Sequence, residues 1–215
     1  MNSIEDLLDE LYEAIIAGQR DKVPSLVNQI LDQKVQPEII LNDSMIPAMD
    51  VVGERFEDGV YFVPEMLVAA HSMQAGLNIL RPLLAETDIQ PVGKVAIGTV
   101  RGDIHDIGKN LVTMMLEGAG FEVLDLGVNV PPERFIEAVE SGAQIIGMSA
   151  LLTTTMVNMQ VVLNSLKEAE LRERVKVIIG GAPITQEYAE QIGADGYAED
   201  ASQAVNVARG LLGLY

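Results

Sequence analysis

Two residues that could do chemistry stand in one short stretch, "GDIHDIGKN" at residues 102–110: Asp103 and His105, two apart and between glycines. An imidazole that binds a metal through one nitrogen commonly donates its other N–H to a carboxylate, which fixes the tautomer and makes the ligand more basic. An Asp-x-His spacing allows that pairing. It equally suits loop residues hydrogen-bonded to backbone or water, so the spacing alone leaves both readings open. The only other histidine, His71, reads as a helix-packing or partly exposed side chain. Cysteine is absent, which excludes disulfides, iron–sulfur clusters, thiolate zinc sites and cysteine nucleophiles.

Two further stretches are unusual. "SALLTTTM", residues 149–156, sets a serine and three threonines beside small and apolar residues. One hydroxyl suffices to cap a helix, and four exceed that need. The pair Gly180 and Gly181 in "GGAPIT" suits either a simple turn or the close approach of a ligand to the backbone. A dinucleotide site is not supported, because Gly98, Gly102 and Gly108 fit neither G-x-G-x-x-G nor the P-loop spacing. A hydrolase is not supported either, since there is no G-x-S-x-G elbow.

The elements that must position these residues fall into two halves. Up to about residue 85 the apolar residues keep helical spacing, with Ile4, Leu7, Leu8, Leu11 and Ile15 on one face. Ser3 and Asp6 suit a capping box and Gly18 a stop. Further helices are expected over "DKVPSLVNQILDQ", from Pro37 through "QPEIILNDSMIPAMDVVGERF", and from Pro64 through "VPEMLVAAHSMQAGLNILRPLLAE". That makes a four-helix bundle. Beyond it, the runs "KVAIGTV", "FEVLDLG", "AQIIGMS", "VKVIIGG" and "DGYA" alternate with helical stretches, the mark of a five-stranded parallel sheet of flavodoxin-like kind. The expected division is a helical cap at residues 1–88 and a Rossmann-like domain at 89–215, joined by a linker at 86–93. In such sheets ligands bind beyond the C-terminal ends of the strands, where all three unusual stretches fall.

At 215 residues and 48% hydrophobic, the chain is long enough for a sizeable core. No apolar run reaches the ~20 residues of a bilayer span, and the acidic start "MNSIEDLLDE" is unlike a signal peptide, so a cytoplasmic protein is expected. A net charge of -18 would repel phosphate backbones and reads against DNA or RNA partners. The acids read first as a well-solvated surface.

Taken in order, "DIHDIG", "SAL" and "GG" resemble the D-x-H-x-x-G, S-x-L, G-G pattern of cobalamin-binding domains, the family of methionine synthase and of the small corrinoid proteins of methyltransferase systems. The resemblance spans essentially the whole chain, because those proteins also place a helical cap before a Rossmann-like domain. It implies a cobalamin or related corrinoid cofactor, methylcobalamin in the loaded state. His105 would be the lower axial cobalt ligand, Asp103 would hold its second nitrogen, and Thr155 would stand where the family's relay has a serine. Gly108, Ser149, Leu151, Thr153, Gly180 and Gly181 would line the slot for the cofactor's nucleotide tail, with Tyr197 in "YAEDA" at its far end. "GERFEDGVYFVPEM" is similar to the segment covering the corrin's upper face, so that Phe56, Val63 and Met66 would shield the methyl group.

The resemblance further implies that the imidazole lets go of cobalt in each cycle and becomes more basic when free, so that the Asp103–Thr155 pair can take up or release a proton in step. The function it implies is a stand-alone methyl carrier with no turnover of its own. Its partners would be a substrate-specific methyltransferase, a second methyltransferase using tetrahydrofolate or coenzyme M, and a reductive activating protein, with the linker as hinge. Methylamines, methanol, glycine betaine and aryl methyl ethers all remain open as donors. A corrinoid-dependent sensor and a corrinoid subunit of an isomerase are the alternatives, the first disfavoured by the strongly negative charge and the second for want of a catalytic barrel.

Overall fold

The computed structural model describes residues 3–85 and 91–214. Residues 86–90 of the expected linker lie outside that range. The chain separates into two compact units, Met1–Gln90 with Glu117–Gly120, and Pro91–Leu116 with Phe121–Tyr215.

The first unit is helical. Helix α1 (Ile4–Ile16) starts at a complete capping box, in which the Ser3 hydroxyl accepts from the Asp6 N–H and the Asp6 carboxylate from the Ser3 N–H, both at 3.0 Å. Leu7, Leu11 and Ile15 are buried, whereas Ile4, in the first turn, stays exposed. Helix α2 (Val23–Asp32) carries a proline in its first turn, where the missing N–H costs nothing.

The third expected helix is not continuous. It divides into α3 (Pro37–Ile40), a π-helical turn over Leu41–Met45, and α4 (Ile46–Glu57). Pro47 explains the break: it has no N–H to give to residue 43, and in a regular helix its ring would meet that residue's carbonyl. The wider turn, in which the Ile46 N–H reaches back to Leu41 O, relieves the clash. Inside it the buried Ser44 donates to Leu8 O at 2.8 Å, tying the turn to α1. Helix α5 (Val63–Ala85) completes the bundle.

The second unit is a sheet of five parallel strands, β1 (Lys94–Val100), β2 (Glu122–Val130), β3 (Ile145–Ser149), β4 (Lys176–Gly180) and β5 (Gly196–Ala198), in the order β2-β1-β3-β4-β5. Helices α6 (Ile107–Gly118), α7 (Pro132–Glu140), α8 (Thr153–Glu168), α9 (Gln186–Ile192) and α10 (Ala201–Leu211) connect and follow the strands. Alternation along the strands sends Ala96, Val100, Ile146, Met148, Val177 and Ile179 into one core with α7, α8 and α9. Thr99 pairs with Ser149, Ser149 with Gly180, and Gly180 with Ala198. The unusual loops after β1, β3 and β4 thus leave the sheet at one level.

Candidate corrinoid site

Four points hold the loop between β1 and α6. Its turn closes with the Asp103 N–H on Val100 O at 3.1 Å. Asn158 of α8 donates to Arg101 O at 2.8 Å. Asn129, at the end of β2, accepts the Gly102 N–H on its side-chain oxygen at 2.8 Å and gives its own N–H to Asp103 O at 2.9 Å. Thr99, wholly buried in β1, donates its hydroxyl to His105 O at 2.9 Å. With its backbone committed this way, the loop extends Ile104 (73% exposed) and Ile107 (81%) toward solvent on either side of His105.

Asp103 is the reverse case, a carboxylate with no exposed surface and every oxygen engaged. One oxygen, Oδ1, accepts from His105 Nδ1 at 2.7 Å and from the His105 N–H at 3.1 Å. The other, Oδ2, accepts from the Leu151 N–H at 2.8 Å, the Leu152 N–H at 3.3 Å and the Thr155 hydroxyl at 2.6 Å. Burial alone pushes a carboxyl upward, but the bonds from Thr155, Leu151 and His105 outweigh it and hold Asp103 well below the usual carboxylate range. The Thr155 oxygen also lies 2.9 Å from Leu152 O. Its single proton goes to the carboxylate, the shorter and charge-assisted bond.

The chemical outcome is a fixed tautomer. An ionised Asp103 can only accept, so in the neutral imidazole Nδ1 carries the proton and Nε2 the lone pair. The imidazole is 47% exposed, and Nε2 has no hydrogen-bond partner among the described residues. A carboxylate on Nδ1 is the support that metal-binding histidines commonly have.

The other residues expected in the site are distributed as follows. Leu151 takes part through its backbone, while Thr153 is exposed in the first turn of α8 and Ser149 closes β3. Gly180 and Gly181 are demanded by the chain itself. A Cβ on Gly180 would stand 2.8 Å from Ala198 O, and Gly181 combines φ +126° with a Cβ position that would collide with Ala150 O. Gly108 differs: its backbone is ordinary, yet nothing lies within 4 Å of where its Cβ would be. A glycine in a helix costs roughly 0.5–1 kcal/mol relative to alanine, and neither φ nor packing within the chain asks for it here. Tyr197 lies in β5, where burial pushes its phenol up and the charges of Glu199, Asp200 and Glu187 add to the effect. In the helical unit Met66 is fully buried, Phe56 half-buried and Val63 exposed, with Val60 and Phe62 more exposed still. His71, expected to pack between helices or to be partly exposed, is exposed.

Thr99, Asn129 and Asn158 were not singled out from the sequence. The signal available was a threonine inside an apolar strand, a polar residue with buried surroundings.

Residues 93–206 match one family model described as a B12 binding domain, and residues 7–81 match another of the same description. The chain belongs to the B12-binding family. Among B12-binding relatives, it is 47% identical to dimethylamine corrinoid protein 2 of Methanosarcina acetivorans, over 99% of both chains. It is 40% identical to trimethylamine corrinoid protein 1 of the same organism, over 99% of this chain and 100% of that one. Its structure resembles a chain of the methanol:cobalamin methyltransferase complex MtaBC of Methanosarcina barkeri, with TM-score 0.86 and 28% identity, over 97% of this chain and 80% of that one. The cofactor of this B12-binding protein is cobalamin or a related corrinoid. The residues present fit it: a tautomer-fixed imidazole, exposed apolar side chains at Ile104, Ile107 and Leu151, and the open space at Gly108. No helix among the described residues is long and apolar enough to cross a membrane.

Proposed function

We propose that the chain is a methyl carrier, taking a methyl group from a methylamine-specific methyltransferase and giving it to a second methyltransferase that uses tetrahydrofolate or coenzyme M. The observation that carries this reading is the 2.7 Å bond between His105 Nδ1 and a wholly buried Asp103, which leaves Nε2 as the ring nitrogen available to a metal. When bound, the corrinoid supplies the cobalt on which the methyl group rides.

The chain's own residues do the rest. His105 would offer Nε2 to the cobalt, and Asp103 would keep the Nδ1 proton and the ring plane in place. Thr155 and the Leu151 and Leu152 N–H groups keep Asp103 ionised. Gly108 leaves room for the nucleotide tail, and Ser149, Leu151, Thr153, Gly180, Gly181 and Tyr197 border its slot. In the helical unit Val63, with Phe62 and Val60, offers apolar surface suited to shielding the methyl group, beside Phe56 and Met66. The division into residues 1–88 and 89–215 belongs to the same reading.

Dimethylamine is the favoured donor, because a dimethylamine corrinoid protein matches more closely than a trimethylamine one. A methyltransferase as partner is supported by the likeness to a chain of a methyltransferase complex, and a reductive activating protein completes the system. The test is to load the protein with corrinoid, reduce it, and follow its absorbance with separate methyltransferases and a panel of mono-, di- and trimethylamine and methanol. Methylation from dimethylamine supports the reading, and no methylation from any donor overturns it.

A further inference from the structure

Strand β2 does not run evenly beside β1. Ile97 pairs with Asp125 but Gly98 with Gly127, so Leu126 is an extra residue, and a second is absorbed before Val100 pairs with Val130. Bulges of this kind re-aim side chains and recur beside functional sites. Here the first is locked by charge. Lys109, in the opening turn of α6, is buried, and its ammonium donates to Asp125 Oδ1 at 2.8 Å, Asp125 Oδ2 at 2.7 Å and Asn110 Oδ1 at 2.7 Å. All three of its protons are used. Asp125 Oδ1 also accepts the Gly127 N–H at 2.8 Å, where φ is +86°. One carboxylate therefore fixes both the bulge and the start of the helix that follows His105.

Two residues past Gly127 comes Asn129, itself at φ +53°. Such a backbone is uncommon for a residue other than glycine, and asparagine is among the few side chains that tolerate it. From there it makes the two bonds to Gly102 and Asp103 described above. Asp103 in turn orients the imidazole.

We propose that Asn129, delivered by the bulge that Lys109 and Asp125 hold, is a positioning residue for His105. It sets the Gly102–Asp103 backbone and hence the angle at which Nε2 is offered. The inference rests on His105 being the cobalt ligand, and the experiment separates the two.

The chain, labelled with 15N-histidine or unlabelled, is loaded to full occupancy with cobalamin and reduced to the Co(II) state. Electron paramagnetic resonance then gives the ratio of histidine-bound to histidine-free cobalt. Apoprotein unfolding is measured alongside. In Asn129→Gly the relief of φ +53° offsets the loss of the side-chain acceptor, so unfolding should hardly move while the ratio falls roughly three- to tenfold, the worth of one hydrogen bond. Asn129→Asp retains an acceptor for the Gly102 N–H and a tolerance of that φ, and should restore the ratio. A purely structural role would shift unfolding and leave the ratio at full occupancy unchanged. An unchanged ratio in Asn129→Gly, with the splitting lost in His105→Ala, overturns the role of Asn129 alone. Splitting that survives in His105→Ala overturns the ligand reading and this inference with it.

Discussion

The Thr155 hydroxyl donates to Asp103 Oδ2 at 2.6 Å from the third position of α8, so one side chain of a helix start secures the carboxylate that orients His105 from a different loop. The bond explains why a hydroxyl is needed there. It also gives the pair a pH signature.

Because the folded Asp103 titrates below its ordinary range, its contribution to stability is present above the unfolded carboxylate pKa of about 3.9 and is lost as pH falls through the folded value. Thr155→Val removes a donor and raises that folded value. The variant should be less stable than wild type at pH 7 by about 1–2 kcal/mol, with the gap narrowing as pH drops below about 4. Thr155→Ser should close most of it. Urea unfolding of the apoprotein at pH 7 and at successively lower pH measures this, and a gap that does not depend on pH would rule the linkage out.

The two kinds of glycine should respond with opposite sign. Gly108→Ala relieves a helix glycine in open space, so the apoprotein should gain roughly 0.5–1 kcal/mol while corrinoid binding weakens. Gly181→Ala meets both φ +126° and Ala150 O, so the apoprotein itself should lose stability. Thermal unfolding and corrinoid titration of each variant check the contrast.

His105→Ala should leave the loop in place. The His105 N–H to Asp103 and the Thr99 hydroxyl to His105 O are backbone contacts that alanine retains. Apoprotein stability should change by less than about 1 kcal/mol, and the protein should still take up corrinoid without histidine nitrogen splitting. Loss of all corrinoid uptake would show that the imidazole supplies more of the affinity than the slot does.

Net charge of -18 should speed encounters with partners more than it strengthens the complexes. Steering is screened over a Debye length of about 8 Å at physiological ionic strength. Raising salt should cut the second-order methyl-transfer rate at low carrier concentration and leave the rate at saturation nearly unchanged. A salt-independent rate would return the acids to the role of a soluble surface.

The five strands and the bundle were legible because their apolar periods are clean, and the Asp103, His105 and Thr155 trio because each sits in a motif of fixed spacing. The π-helical turn was not, since Pro47 reads as either a kink or a start until the carbonyl behind it is located. Asn129 was illegible for a different reason. Its partners lie 26 and 27 residues away in sequence, and the positive φ at Asn129 stands beside two register shifts that no local pattern announces. The twin glycines were read toward a ligand, and the backbone oxygens of Ala150 and Ala198 supply a reason within the chain that pattern alone does not reveal.

Strand β2 ends the sheet on one side, nine residues long and mostly exposed. A straight terminal strand of that length would present a template for a second copy, and proteins blunt such edges with bulges and charges. The register shifts at Leu126 and before Val130, with the charged Asp125 opposite Ile97 just before the first of them, interrupt any continuous ladder. The clamp at Asp125 would thereby also blunt this edge against a second copy. Replacing Asp125 by an apolar residue should show itself first as aggregation of unloaded protein at high concentration, before any defect in the loaded form.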